Sequence, residues 1–216
     1  VNNNLPVTDI DTPEPSSSIS NEFQKINASV TGENLDCVKF YAYYDASWHY
    51  LGANCTVPYE YNWDLSGVND QSGIILKACA NNTGNNFGLN DTHSNIIHDT
   101  EPPTWDEPLN DLTLEYGYEM LYDVNASDNI GIGRYYIDDE ENFTINPTNG
   151  QITNNTALGL RTYELNISVN DTSGNINYTK ISITVQDTEA PTTSLALPGV
   201  DYVNYNEPPL WIDFNC

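Results

Sequence analysis

The side chains with the most chemistry to offer are carboxylates, and they recur in a set phrase. Asp-Thr-Pro-Glu-Pro starts at Asp11, Asp-Thr-Glu-Pro-Pro at Asp99 and Asp-Thr-Glu-Ala-Pro at Asp187, each start 88 residues after the last. Gathered carboxylate oxygens suit a hard divalent cation, since calcium takes about six to eight oxygen ligands. Paired carboxylates also do acid–base work on glycosidic bonds. With 31 acidic residues in the chain, however, a run such as Asp138-Asp139-Glu140-Glu141 reads as a solvated loop. His49, His93 and His98 stand in no recognisable nucleophile–base pattern. No enzymatic activity is expected.

The cysteines and asparagines carry the other chemistry. Four cysteines in an exported chain point to oxidation. Cys37 begins one apolar-alternating stretch and Cys79 lies late in another. If the two are antiparallel neighbours, both thiols reach one outer face, so Cys37–Cys79 is the first expectation and Cys37–Cys55 the alternative. Cys216 would pair with residues beyond the chain. No Cys-x-x-Cys spacing exists for a metal. Ten Asn-x-Ser/Thr sequons are present, at Asn27, Asn54, Asn81, Asn90, Asn125, Asn142, Asn154, Asn166, Asn170 and Asn177. They matter in an exported chain as acceptors of N-linked glycans. Some fall in matched slots: Asn27 with Asn125 and the sequon-like Asn215, and Asn81 with Asn170.

A formal net charge of −25 on 216 residues, with six basic side chains, repels nucleic acid and anionic membrane alike. No apolar run approaches the ~20 residues that span a bilayer, so membrane insertion is not expected. The chain opens at Val1-Asn2 without an initiator methionine and reads as a slice of something longer.

Positioning those groups falls to β-strands. "VKFYAYY", "YEYNW", "GIILKACA", "TYELNISV" and "KISITV" are rich in β-branched and aromatic residues. Ser66-Gly67, Asn149-Gly150 and Ser173-Gly174-Asn175 punctuate them as turns. No stretch sustains a helical period. The fold class is therefore all-β: tandem Ig-like antiparallel sandwiches of about seven strands each, joined by short Pro-containing linkers. The phrase repeat sets the boundaries. Residues 1–10 read as the terminal strand of a preceding repeat, 11–98 and 99–186 as two sandwiches, and 187–216 as the opening of an incomplete one.

In an Ig-like topology the loops between strands B and C and between F and G lie beside the incoming linker. That gathers Asp99 and Glu101 of the linker with Asp128 and Asp171 as a candidate calcium set, and Asp187 and Glu189 repeat the linker part for the next unit. The plainer alternative is a semi-rigid proline spacer. The first unit has Asn82 where the second has Asp171. No cofactor is required; calcium is the one the carboxylates would take. Tyr41, Tyr43, Tyr44, Trp48, Tyr50, Tyr59, Tyr61 and Trp63 crowd the first unit. Phe40 and Trp63 are expected in the core, and the others on a sheet face, a sugar-stacking platform or a subunit contact.

Two resemblances follow. The stretch from Val38 to Asn85, with its Val-x-Phe strand, Leu-Gly, Pro-Tyr with aromatic-x-Trp, and Ala-x-Ala strand, resembles Ig-like repeats of bacterial and archaeal surface proteins. "ASDNIGIGRYYI", "FTINPTNGQI" and "YELNISVND" stand in cadherin-like order, and "VQDTEAP" resembles a shortened cadherin linker lacking the Asp-Asn pair. The resemblance implies the fold and an extracellular or cell-surface location. The expected function is structural: a glycosylated segment of an extracellular filament, surface layer or stalk. Its partners would be copies of itself or adjacent repeats, with 1–10 or 187–216 exchanging strands between units. The alternatives are a calcium-dependent adhesin or carbohydrate-binding stalk and, further off, an accessory segment of a secreted hydrolase.

Overall fold

Alternation drives the first unit. Along its central strand Val38, Phe40 and Ala42 are buried while Lys39, Tyr41 and Tyr43 face outward, and opposite them Ile74, Leu76, Ala78 and Ala80 do the same. A period of two puts one side of each strand in the core. The computed structural model describes residues 5–190, and every regular element among them is a β-strand. The first unit holds β1 (Val7–Thr12), β2 (Ser18–Ile19), β3 (Phe23–Thr31), β4 (Leu35–Tyr44), β5 (Ser47–Asn54), β6 (Tyr59–Asp64), β7 (Gln71–Asn82) and β8 (Asp91–His98). They form a three-stranded sheet, β1-β3-β6, facing a five-stranded sheet, β2-β8-β7-β4-β5. Ile10, Ile26, Tyr59, Trp63 and Leu65 from one side meet Phe40, Ile74, Leu76 and Ile96 from the other in one core. Gly52 is required here, because a Cβ would run into the Tyr61 ring, whose hydroxyl donates to the Leu51 carbonyl at 2.6 Å.

The second unit holds β9 (Thr104–Trp105), β10 (Leu112–Glu115), β11 (Leu121–Asp123), β12 (Ala126–Ser127), β13 (Ile132–Ile137), β14 (Phe143–Ile145), β15 (Gln151–Asn154), β16 (Thr162–Asp171) and β17 (Ile176–Gln186). A four-stranded sheet, β10-β17-β16-β13, lies against β11-β15-β14 and the β9-β12 pair. Val124, Phe143, Ile152, Leu165, Ile167, Ile181 and Ile183 are almost wholly buried between them. The Asn149-Gly150 turn needs its glycine: φ is 73°, and a Cβ would strike the Val124 carbonyl.

The two units share a plan. In each, the first strand pairs antiparallel with strand B (β1 with β3, β9 with β12), and the next runs parallel to the last (β2 with β8, β10 with β17). This alignment corrects the phrase-based boundaries. Val7–Thr12 does not stand as the terminal strand of a preceding repeat. It is the first strand of the first sandwich, and Ile10 belongs to that core. The Asp11 phrase therefore sits between β1 and β2, inside a unit, whereas the Asp99 phrase sits between β8 and β9, at a joint. The stretch from Asp11 to Ile26 is accordingly shorter than that from Asp99 to Val124 by the length of a strand. Asp187, which follows β17 as Asp99 follows β8, is the true counterpart. The proposed opening strands after it, and Cys216, lie outside the described residues.

The disulfide is also corrected. Cys37 bonds Cys55, not Cys79, whose thiol is unpaired among the described residues. Register decides it: Val38 pairs Asn54, so Cys37 and Cys55 stand side by side at the end of the β4–β5 ladder. On the other flank Cys37 pairs Asn81 and Cys79 pairs Lys39. The two thiols share a face but are offset along it, beyond the reach of an S–S bond.

Candidate metal centre at the joint

The joint is built from both units. Asp99 still belongs to the first sandwich through its amide, which donates to the Ile19 carbonyl at 3.0 Å. Its own carbonyl accepts the Asn175 side-chain amide of the second sandwich at 3.0 Å. Thr100, next in the chain, is clamped by Asp70 of the first unit, which accepts the Thr100 amide at 3.0 Å and its hydroxyl at 3.2 Å. The Pro103 carbonyl accepts from Asn177 at 2.8 Å. A second clamp repeats the first at the far end: Glu115 accepts the Thr188 amide at 2.6 Å and hydroxyl at 2.8 Å. The Thr of the phrase thus has a mechanical role. Asp70 and Glu115 were not singled out from the sequence, because only the fold brings them to a threonine 30 and 73 residues away.

At this joint Asp99, Asp128 and Asp171 each place an oxygen within 4.8 Å of the others. Loop chemistry fixes two of them. The Asp128 carboxylate accepts from the Ile130 and Gly131 amides at 2.9 and 2.7 Å. Asp171, at the end of β16, accepts from the Ser173, Gly174 and Asn175 amides at 2.8, 2.6 and 2.9 Å and from the Asn175 side chain at 2.8 Å. The Thr172 amide donates to the Gly131 carbonyl at 2.9 Å and ties the two loops together.

The electrostatics are unfavourable without a counter-charge. Asp99 is 0 % exposed and Asp171 1 %. One carboxylate oxygen of Asp99 and one of Asp128 are buried and accept no hydrogen bond among the described residues. Burial pushes the Asp99 carboxyl above its ordinary range, and the neighbouring Asp171 and Asp128 charges push the same way, against a smaller downward pull from the nearby Ser173 hydroxyl and the Glu101 amide. A buried, unpaired charge costs several kcal/mol, about the scale that pairing or metal coordination offsets. No basic side chain is among the partners of these three carboxylates.

Glu101 stands apart. It is exposed, and its amide donates to Asp99 at 3.3 Å while its carbonyl lies 3.5 Å from the Asn175 amide nitrogen. Asp187 is exposed, and the Glu189 carboxylate accepts from the Tyr118 hydroxyl at 2.8 Å. The histidines are tied up locally. His93 donates to the Pro13 carbonyl at 2.7 Å, His98 is buried 3.5 Å from Asp70, and His49 stacks on Tyr44 in an exposed hairpin. Phe40 and Trp63 lie in the core, whereas Trp48 and Tyr50 are 47 % and 58 % exposed, with Lys77 seated 4.8 Å from the Trp48 ring centre.

No protein-family model and no curated protein matches the chain. Among solved structures it is similar to extracellular domains 3–5 of Drosophila OTK, at 12 % identity and a TM-score of 0.51 over 83 % of this chain and 62 % of that one. It also matches fibronectin(III)-like modules of Clostridium thermocellum CbhA at 16 % identity and a TM-score of 0.49, covering 87 % of this chain and 100 % of that one. Sidekick-1 immunoglobulin domains 1–4 match at 12 % and 0.49, over 87 % and 50 %. At such identities the likeness concerns the fold, an Ig-like tandem of β-sandwiches.

Proposed function

We propose that the chain is a non-catalytic structural segment of an extracellular tandem array, of the kind carried on archaeal or bacterial cells, and that a calcium ion at Asp99, Asp128 and Asp171 stiffens its joint. The observation behind the calcium assignment is the pair of buried carboxylate oxygens, on Asp99 and Asp128, that accept no hydrogen bond inside a three-carboxylate cluster. Calcium would supply the missing positive charge and bind linker and second unit as one body. Backbone carbonyls and water would complete its shell. The Cys37–Cys55 disulfide supports an oxidising, extracellular setting. Net charge keeps copies apart in solution, so ordered assembly into a filament or surface layer would depend on specific end contacts.

Calorimetric titration of calcium into chelated protein tests the site. Binding of one ion per joint, lost in Asp99→Asn, supports it; no heat and no shift in unfolding temperature overturn it. Electron microscopy of native material tests the assembly. Fibres or sheets with an axial repeat of one or two units support a structural polymer, and isolated rods ending in a distinct head would make the segment a stalk. The exposed Trp48 and Tyr50 favour a second reading, a carbohydrate-binding stalk. Loss of polysaccharide binding in Trp48→Ala would establish it, and absence of any sugar-dependent quenching of tryptophan fluorescence would remove it.

A further inference from the structure

The fold sorts the ten sequons by what their side-chain nitrogen is already doing. N-glycosylation joins the Asn Nδ2 to the anomeric carbon of a lipid-linked oligosaccharide phosphate. The carbon–oxygen bond to the phosphate breaks, the lipid phosphate leaves, and the amide gives up one proton. The product keeps a single N–H, so a nitrogen that donates two hydrogen bonds in the fold loses one of them, and the sugar must find open space beside it.

Three sequons fail that requirement outright. Asn81 is 4 % exposed, and its nitrogen donates to Asp36 at 2.9 Å and to the Asn82 carbonyl at 3.2 Å. The Asn142 nitrogen reaches both oxygens of Asp139 at 3.0 and 2.8 Å. That of Asn54 donates to the Pro58 and Glu60 carbonyls at 3.1 and 3.0 Å. Asn154 and Asn177 each commit the nitrogen once, to the Thr156 and Pro103 carbonyls, both at 2.8 Å. Asn27 and Asn170 bury the side-chain oxygen, and Asn170 adjoins Asp171 of the joint. What remains is Asn90, Asn125 and Asn166, all exposed, with side-chain nitrogens that donate no hydrogen bond among the described residues. Asn90 lies between β7 and β8, Asn125 between β11 and β12, and Asn166 on the outward side of β16 between buried Leu165 and Ile167.

We infer that folded molecules carry N-glycans at Asn90, Asn125 and Asn166 and none at Asn54, Asn81 or Asn142. This rests on the extracellular reading, since only an exported chain meets the glycosyl donor. Attachment can precede folding. A chain modified at Asn81 would then be unable to close β7 against β4, and it would be lost from the folded fraction.

The test is to secrete the full chain from a eukaryotic host, isolate the folded monomer, release glycans enzymatically in heavy-oxygen water and map the marked aspartates by mass spectrometry. The expected result is occupancy at Asn90, Asn125 and Asn166, no mark at Asn54, Asn81 or Asn142, and a collapse of the glycan mass in the triple Asn→Gln variant of the three open sites. Occupancy at Asn54, Asn81 or Asn142 in folded material overturns the inference, as does vacancy at all three open sites. The host supplies the compartment, so the map judges the sorting alone. The extracellular reading is judged separately, by the microscopy of native material.

Discussion

The two sandwiches solve one problem in two ways. Both turn the chain over an Asx side chain, from β7 to β8 in the first and from β16 to β17 in the second. Asn82 accepts from the Gly84 and Asn86 amides at 3.0 and 3.1 Å, and Asp171 accepts from three amides at the matching place. A neutral amide is therefore sufficient for the turn. The second unit places a charge there, buries it, and adds Asp99 and Asp128 beside it. The surplus charge is unexplained by the turn and points to something that binds it. The first unit, with no such cluster among its described residues, carries a covalent staple between β4 and β5 instead, and the described residues of the second hold no cysteine. One unit is fastened by sulfur, the other by a site suited to an ion.

Calcium and reductant should therefore separate the units. At a hundredfold excess over its dissociation constant, calcium should stabilise the second unit by about 2.7 kcal/mol and leave the first unchanged. Hydrogen exchange resolved by peptide reads both units in one intact chain, and equal protection of the two would break the comparison. Asp171→Asn should abolish that gain while keeping the turn, as Asn82 does.

Reduction should do the reverse. Opening a bridge across 18 residues should cost the first unit roughly 3 kcal/mol, with the second unit unmoved. The same exchange experiment with and without reductant checks it.

Smaller effects probe the clamps. Thr100→Val removes the hydroxyl bond to Asp70 and should cost about 1 kcal/mol, read as faster exchange at the joint. Thr188→Val should do the same at Glu115 without altering calcium affinity. The second clamp should also be sensitive to acid. Hydrogen bonds from the Thr188 amide and hydroxyl hold the Glu115 carboxyl below its ordinary value. The clamp is thus fully formed above the usual glutamate range and is lost as pH falls through the lowered value. The Thr188 amide resonance should follow that titration, and in Glu115→Gln it should not move.

Much of this fold is written in alternation. Val38-x-Phe40-x-Ala42 and Leu165-x-Ile167-x-Val169 declare their buried faces directly. The grouping of Asp99, Asp128 and Asp171 follows from topology, because linker, B–C and F–G loops meet at one end of any such sandwich. What the residues hid was register. A bulge between Leu35 and Cys37 shifts β4 along β7, and no spacing announces it. The Asp11 phrase misled for a different reason. Its prolines mark any break between strands, whether the kink between β1 and β2 or the joint after β8. Glu101 follows Asp99 so closely that proximity suggested a shared role, yet its exposure keeps it out of the buried cluster.

The parallel pairing of each unit's second strand with its last has a mechanical consequence. In an array pulled from its ends, a unit's second and last strands move in opposite directions along one another. Their hydrogen bonds are then loaded in shear and share the tension, and they do not open one at a time. β2 meets β8 over two residue pairs, while β10 meets β17 over four. Further parallel bonds join Thr8 to Leu89, Ser16 to Ser94 and Ile19 to Asp99 in the first sandwich, so its resistance is spread over several short stretches where the second's is concentrated in one, and the disulfide, which joins β4 to β5 away from those strands, lies off the line of force.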